Sequence, residues 1–111
     1  MSQVTTHVLD TSQGKPARGV KIILSNWEEE WQTMAGGSTD NDGRIMDLLE
    51  KNVALRKGIY KLKFETKSYF DVQGIATFYP YVEIIFEIKD GEHYHVPLLL
   101  NPFGYSTYRG S

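Results

Sequence analysis

The sequence lacks several features that would each indicate a class of protein. It contains no cysteine, which excludes disulfides, thiolate catalysis and cysteine metal sites together. No window approaches the roughly 18 apolar residues that a membrane helix requires. The first residues, SQVTTHVLDT, have neither the basic nor the apolar region of an export signal. We therefore expect a soluble protein with no membrane partner, and the cytoplasm is the default location.

The sequence also lacks a large excess of charge of either sign. Twelve Lys and Arg residues stand against fourteen Asp and Glu, for a formal net charge of −2. No basic block could neutralise a row of phosphates, which argues against nucleic acid as a partner. No glycine loop matches a phosphate-binding fingerprint, no serine lies in a nucleophile elbow, and the three histidines lack a metal-ligand spacing. The groups left for chemistry are imidazole, guanidinium, tyrosine and backbone, which suit water activation without a metal or cofactor.

What the sequence does contain is alternation with a period of two. Apolar and polar residues alternate in VTTHVLD, GVKIILSN, IYKLKFET, YVEIIFEIKD and EHYHVPLLLN, as is typical of half-buried strands. TKSYFDVQ favours one short helix, and IMDLLEKNVALRKG is ambiguous and predicted to be mostly irregular. A length of 111 residues fits one domain, residues 1–111, with a single core. The pattern predicts an all-β antiparallel sandwich of two sheets.

The turns between these segments are rich in Asp and Gly. NDGR and KDGE favour hairpin turns, and WEEEW is interpreted as an acidic, solvated loop or strand end. STDNDGR partly matches a calcium-binding loop, because Asp40, Asp42 and Gly43 fall at its third, fifth and sixth positions. Ser38 and Leu49 stand at the end positions, where Asp and Glu are required. A hairpin turn is therefore the preferred interpretation.

The strand EHYHVPLLLN has an unusual outer face. Its apolar face is continuous and must point to the core: Tyr94, Val96, Leu98 and Leu100. His93, His95, Pro97 and Leu99 therefore point outward, and Pro97 indicates an edge strand or a bulge. His7 lies on the outer face of VTTHVLD in the same way, so the imidazoles converge if the two strands are neighbours. Incidental surface histidines are the alternative interpretation.

Four segments together resemble a known family. The segments that carry the similarity are THVLDTSQGKPARGVKI, TDNDGR, TKSYF and YHVPLLLNPFGYSTYRGS. Through them the chain is similar, over essentially its whole length, to the transthyretin-like 5-hydroxyisourate hydrolases of purine catabolism. The hormone carrier transthyretin shares the fold and much of TKSYF, but lacks the residues of HVLD and YRGS. The resemblance implies two four-stranded sheets with one short α-helix, and a homotetramer built as a dimer of dimers. Its active sites would open into the channel between the dimers.

The resemblance also implies site residues. His7 of HVLD, Arg44 of DGR and His95 of YHVP would be catalytic. The substrate-binding set would be His7, Arg44, Tyr108, Arg109, Gly110 and Ser111, and no metal or other cofactor is implied. His93 lies outside the family motif and is expected to be dispensable. We expect the final residues, Tyr108 to Ser111, to lie against the pocket.

The implied reaction is hydrolysis of a ring amide of 5-hydroxyisourate to 2-oxo-4-hydroxy-4-carboxy-5-ureidoimidazoline. His7 and His95 would activate and orient the water, since an imidazole near pKa 6.5 accepts a proton at neutral pH. Either histidine could be the base. A transthyretin-type carrier of a small aromatic ligand is the first alternative, and a purely structural sandwich is the second. Neither alternative needs outward histidines or the YRGS end.

Overall fold

The computed structural model describes residues 2–45 and 47–111. Within these residues it has nine strands and one helix. The elements are β1 (Val4–Asp10), β2 (Lys15–Pro16), β3 (Lys21–Glu28), β4 (Glu30–Ser38), β5 (Arg44–Ile45), β6 (Gly58–Phe64), α1 (Thr66–Val72), β7 (Val82–Ile88), β8 (Tyr94–Asn101) and β9 (Gly104–Thr107). The predicted helix and the five alternating strands are confirmed. Residues 47–57 are irregular, as predicted, and Met46 lies outside the described residues.

The strands form two packed sheets, so the predicted all-β sandwich is confirmed. One sheet has the order β4-β3-β6-β7, with every pair antiparallel. The other has the order β2-β1-β8-β9, and β5 pairs with β1 on the same edge as β2. Two short strands thus share the fourth position of this second sheet.

One pairing in the second sheet departs from the antiparallel pattern. β1 and β8 run parallel over seven residue pairs, from Val4 opposite Tyr94 to Asp10 opposite Leu100. Parallel neighbours need a long crossover connection, and here the whole first sheet lies between the two strands in the chain. Alternation within a strand does not depend on the direction of its neighbour, so the sequence pattern could not show it.

The core lies between the sheets and is made by the inward faces of the strands. On β8 the predicted inward residues are all buried: Tyr94, Val96, Leu98 and Leu100. On β1 the inward face carries Val4 and Val8, both fully buried, together with Thr6 and Asp10. The Thr6 hydroxyl donates to the Val96 carbonyl at 2.6 Å. Because the core fixes the inward set, the alternate residues of both strands must face outward.

The two Asp-Gly segments form tight turns. The prediction that they are hairpin turns is wrong, because the strands on either side of each turn do not pair with each other. After Asp40 the chain leaves the first sheet, because β4 pairs with β3 whereas β5 pairs with β1. After Asp90 it again crosses from β7 to β8, which belong to different sheets. Each Asp side chain accepts backbone N–H groups of its own turn, so the turn is stable without pairing of the strands that flank it. The exposed WEEEW segment forms a true hairpin, with Glu28 paired to Glu30.

No helix in the described residues is long and apolar enough to cross a membrane.

Candidate active site

Two parallel strands bring the predicted histidines onto one surface. In the pairing of β1 with β8, Thr5 lies opposite His95 and His7 lies opposite Pro97. All four residues belong to the outward set of the second sheet. The neighbouring strands that the convergence of the imidazoles requires are therefore present in the structure.

A third strand adds the guanidinium. In the pairing of β5 with β1, Arg44 lies opposite His7. The turn before β5 is held by Asp40, whose carboxylate accepts the N–H groups of Asp42 at 2.8 Å and Arg44 at 3.1 Å. These two hydrogen bonds hold the pKa of Asp40 below its usual value of 3.8, and the one from the Arg44 N–H has the larger effect. Both stabilise the charged form of the carboxyl group. The DGR turn therefore presents Arg44 beside His7.

The start of β8 is anchored by a second aspartate. Asp90 accepts the Glu92 N–H at 3.0 Å and the Tyr94 hydroxyl at 2.9 Å. The same two hydrogen bonds lower the pKa of Asp90. Tyr94 lies between His93 and His95 in the sequence, and its side chain points into the core. Because neighbouring residues of a strand point to opposite faces, fixing the Tyr94 hydroxyl also fixes the outward direction of both histidines.

A cleft opens on this outer face. Its volume is about 290 Å³, and it is lined by Thr5, Thr6, Arg44, Ile45, His93, His95 and Ser111. His7 is not among the residues that line the cleft, but its strand pairing places it opposite Arg44, which does line it. Larger grooves exist elsewhere on the molecule. Neither contains a histidine or Arg44, although one is lined by Tyr108 and Arg109.

His95 is held on two sides of its ring. Its Nδ1 lies 2.8 Å from the Thr5 Oγ1, and Gly110 lies against the Cγ–Cδ2 edge. Burial lowers the pKa of His95 below the usual 6.5, and the neighbouring basic groups of His93, His7 and Arg44 lower it further. The ring is therefore biased to the neutral form, which is the form that accepts a proton.

The segment after β9 continues alongside β8 as far as His95, past a gap in the pairing at Pro97. β9 pairs with β8 up to Thr107 opposite Leu98, and Gly110 then pairs with His95 in the same register. Proline has no N–H for the position between them. The Thr107 hydroxyl donates instead to the Pro97 carbonyl at 2.6 Å. β8 is a central strand, so the prediction of an edge strand at Pro97 is wrong, and Pro97 is buried under the returning chain rather than exposed.

The predicted YRGS residues divide between two surfaces. Gly110 contacts His95, and Ser111 lines the cleft. Tyr108 and Arg109 line a different groove, between β7 and the end of the chain. The Arg109 guanidinium lies over the Tyr94 ring, 4.2 Å from its centroid, and donates to the His93 carbonyl at 3.4 Å. Within a single chain, these two side chains are not brought to the cleft.

Sequence reasoning missed Thr5 and set His93 aside. The Thr5 Oγ1 lies 2.8 Å from the His93 Nε2 as well as 2.8 Å from the His95 Nδ1. The two rings are stacked, with centroids 6.3 Å apart. The signal for Thr5 was its place two residues before His7, on the same face of β1. His93 thus contacts the same hydroxyl as His95, although it lies outside the family motif. The expectation that it is dispensable stays a prediction.

Metal ligands are not grouped here. Across residues 2–45 and 47–111, no three His, Asp or Glu side chains lie close enough together to hold an ion.

Known proteins share both the fold and the sequence. The family model described as HIUase/Transthyretin family matches residues 4–110. A mouse protein named 5-hydroxyisourate hydrolase is 46% identical over 99% of this chain and 96% of its own length. Among solved structures, the 5-hydroxyisourate hydrolase of Klebsiella pneumoniae has a TM-score of 0.86 and 38% identity, over 97% of this chain and 92% of that one. Sea bream transthyretin in complex with thyroxine has a TM-score of 0.91 and 31% identity, over 98% of this chain and 95% of that one.

The fold is a two-sheet sandwich that carries imidazole and guanidinium groups on one outer face. These features define a transthyretin-like protein whose side chains are suited to activating water. The chain belongs to the HIUase/Transthyretin family, so the resemblance inferred from its motifs is confirmed.

Proposed function

We propose that this protein hydrolyses 5-hydroxyisourate, the product of urate oxidation, to 2-oxo-4-hydroxy-4-carboxy-5-ureidoimidazoline. The observation that carries the proposal is the junction of three strands on one outer face. It places His7 opposite Arg44 on one side and opposite Pro97, two residues after His95, on the other. These are the residues that the family motifs select. The 46% identity to the mouse hydrolase over nearly the full length supports the same activity.

Water is the nucleophile in this mechanism. His95 is the preferred base, because the lowered pKa keeps its imidazole neutral near pH 7, and His7 orients the water and substrate from the neighbouring position on β1. Attack on the ring carbonyl forms a tetrahedral oxyanion. Arg44 holds the oxygens of the substrate and offsets this charge with a planar fork of donors. The imidazolium then returns the proton to the leaving ring nitrogen, which breaks the amide bond.

The end of the chain completes the site. Gly110 allows the backbone to approach the His95 ring, and Ser111 forms a wall of the cleft. Substrate binding by Tyr108 and Arg109 remains a prediction from the family motif. In a single chain they lie on the neighbouring groove, so a role for them at the cleft requires a movement of the segment or a second subunit.

A homotetramer, built as a dimer of dimers, fits the surfaces of the chain. β7 and β9 are end strands of their sheets in the described part of the chain, and both carry exposed apolar side chains: Ile85 is 59% and Tyr105 is 43% exposed. A contact with a second subunit would cover these edges and the apolar side chains on them. The shallow cleft would become an enclosed channel when the outer faces of two dimers meet, and enclosure strengthens the electrostatic role of Arg44. Light scattering at micromolar concentration tests the tetramer, and a monomer would contradict it.

A cytoplasmic location stays a prediction from the sequence.

A carrier of a small aromatic ligand is the second candidate. The high TM-score to sea bream transthyretin with bound thyroxine favours it, because the fold alone does not separate the two functions. The imidazole cluster does separate them, since binding an aromatic ligand requires no proton acceptor.

The direct experiment uses freshly prepared 5-hydroxyisourate and follows its absorbance with and without protein. This compound decays by itself, so only a faster decay counts. We expect the decay rate to rise in proportion to protein concentration. If the protein binds the compound but leaves its decay rate unchanged, the carrier function replaces the hydrolase.

A further inference from the structure

One hydroxyl group links two imidazoles in the cleft. The Thr5 Oγ1 lies 2.8 Å from the His95 Nδ1 and 2.8 Å from the His93 Nε2. Thr5 is fixed by its place opposite His95 in the parallel ladder. His93 and His95 stand two residues apart on the same face of the chain, with their rings inclined by only 21°.

The proton count at Thr5 constrains both rings. A threonine hydroxyl has one hydrogen, so it can donate to one imidazole nitrogen at a time, and the other nitrogen must then donate to its oxygen. In the first arrangement His95 donates from Nδ1, and Thr5 donates to Nε2 of His93. In the second arrangement the order is reversed, and a neutral His95 then carries its hydrogen on Nε2.

The packing of His95 decides which arrangement is useful. Nδ1 is taken by Thr5, and Gly110 covers the Cγ–Cδ2 edge, where an added Cβ would stand 2.5 Å from Cδ2. Nε2 is therefore the ring nitrogen left to meet water or substrate. It accepts a proton only in the first arrangement.

We propose that Thr5 and His93 are positioning residues, which hold neutral His95 as the Nδ1–H tautomer with a free lone pair on Nε2. His93 acts as the hydrogen-bond acceptor that directs the Thr5 hydrogen away from His95. The consequence for catalysis rests on the proposed hydrolase function, but the tautomer itself is a property of the free protein. Free imidazole side chains in water favour the Nε2–H form, so an Nδ1–H form at His95 is a diagnostic state.

The charged groups around the cluster are mostly basic. His7 on β1, Arg44 on β5 and Arg109 after β9 face or border His93 and His95, and Glu92 lies 3.8 Å from Arg109. The relay requires a lone pair on the His93 Nε2, because this nitrogen accepts the Thr5 hydrogen.

The test is ¹⁵N NMR of the histidine side chains at neutral pH, assigned with His93→Phe and His95→Asn. Thr5→Val removes the hydroxyl at nearly constant shape, and Thr5→Ser is the matched variant that keeps it. We expect the Nδ1–H form of His95 in the parent and in Thr5→Ser, and its loss in Thr5→Val. His93→Phe, at an exposed position, should give the same loss and serves if Thr5→Val does not fold. An Nε2–H form in the parent, or no change in either variant, would overturn the proposal.

Kinetics form the second measurement. With 5-hydroxyisourate, Thr5→Val and His93→Phe should lower kcat about 10-fold to 10²-fold with little change in KM, because only the tautomer of the base is affected. Thr5→Ser should restore most of the rate. Unchanged kcat in both variants would overturn the catalytic part. If the parent shows the tautomer but no hydrolysis, the proposed function fails while the hydrogen-bond relay stands.

Discussion

Gly110 lies so close to the His95 ring that a side chain at this position has no room. An added Cβ would stand 2.5 Å from Cδ2 of His95 and 3.3 Å from Cγ of Pro97. Gly110 is paired to His95 by a hydrogen bond of 2.8 Å from its N–H to the His95 carbonyl. The terminal segment and the proposed base are therefore fixed to each other.

Gly110→Ala should displace the His95 ring or the end of the chain. We expect hydrolysis to fall about 10²-fold, because misplacing a catalytic group by about 1 Å has that effect. The free energy of unfolding should change little, since residues 108–111 are mostly exposed. Steady-state kinetics and urea unfolding measure the two effects.

Gly104→Ala, at the start of β9, is the matched control. A Cβ there meets only the Asn101 side chain, at an ordinary distance of 3.7 Å. It should keep full activity. Equal activity of Gly110→Ala and the parent would show that the close approach has no part in catalysis.

Arg44→Lys keeps the positive charge but removes the planar fork that binds two oxygens at once. We expect weaker substrate binding and slower turnover together, measured as a rise in KM and a fall in kcat. Arg18→Lys, at an exposed position outside the cleft, is the control. Kinetics of Arg44→Lys equal to those of the parent would remove Arg44 from the site.

The pH profile should report the lowered pKa of His95. A base acts in its neutral form, so kcat/KM falls with decreasing pH as His95 gains a proton. Because burial and the neighbouring basic groups lower this pKa, the midpoint of the acid limb should lie below the ordinary 6.5 of histidine. Stopped-flow assays from acid to neutral pH measure it. A midpoint above 6.5 would contradict His95 as the base.

The sequence predicted the sandwich, its helix and the outer-face position of His7 and His95, because alternation records burial directly. It did not predict the parallel pairing of β1 with β8, which decides that Thr5 lies opposite His95. β4 gave no clear signal, because it is an end strand with two glycines, Gly36 and Gly37, and mostly exposed side chains.

The contribution of Thr5 to the candidate site was missed for a different reason. A threonine in a strand is ordinary, and only the three-dimensional contacts with His93 and His95 give it a role. The position of Arg109 over Tyr94 likewise depends on the course of the chain after Pro97, which a motif does not describe.

Two family motifs meet in the core rather than at the cleft. Tyr69 of TKSYF donates its hydroxyl to the Asp10 carboxylate of HVLD at 2.8 Å, and Asp10 is fully buried. Tyr69→Phe leaves that carboxylate without one donor, which should lower the free energy of unfolding by about 1 to 3 kcal/mol. Urea unfolding at neutral pH measures this. Tyr105→Phe, at an exposed tyrosine, should be neutral, and equal stability of both variants would contradict the structural role.

Alkaline unfolding gives an independent check on Tyr69. Burial, with the hydrogen bond to Asp10, raises the pKa of Tyr69 to about 12, whereas an unfolded tyrosine titrates near about 10. Between these values the unfolded chain has released a proton that the folded chain keeps, so stability falls as pH rises. Tyr69→Phe should show less of this loss than the parent. An equally steep loss would contradict a raised pKa.

The outer-face histidines separate an enzyme from a carrier, and their replacement tests that claim most directly. The measurement is the hydrolysis of fresh 5-hydroxyisourate by His7→Asn, His95→Asn and the double variant, beside Gln32→Asn, an exposed residue on β4 of the other sheet, as control. Each histidine variant should fold, bind a urate-like inhibitor and lose about 10² to 10⁴ in rate. The double variant should lose less than the product of the single losses, because both groups act on one water. Hydrolysis at the parent rate by all of these variants would contradict the account and leave the ligand carrier in its place.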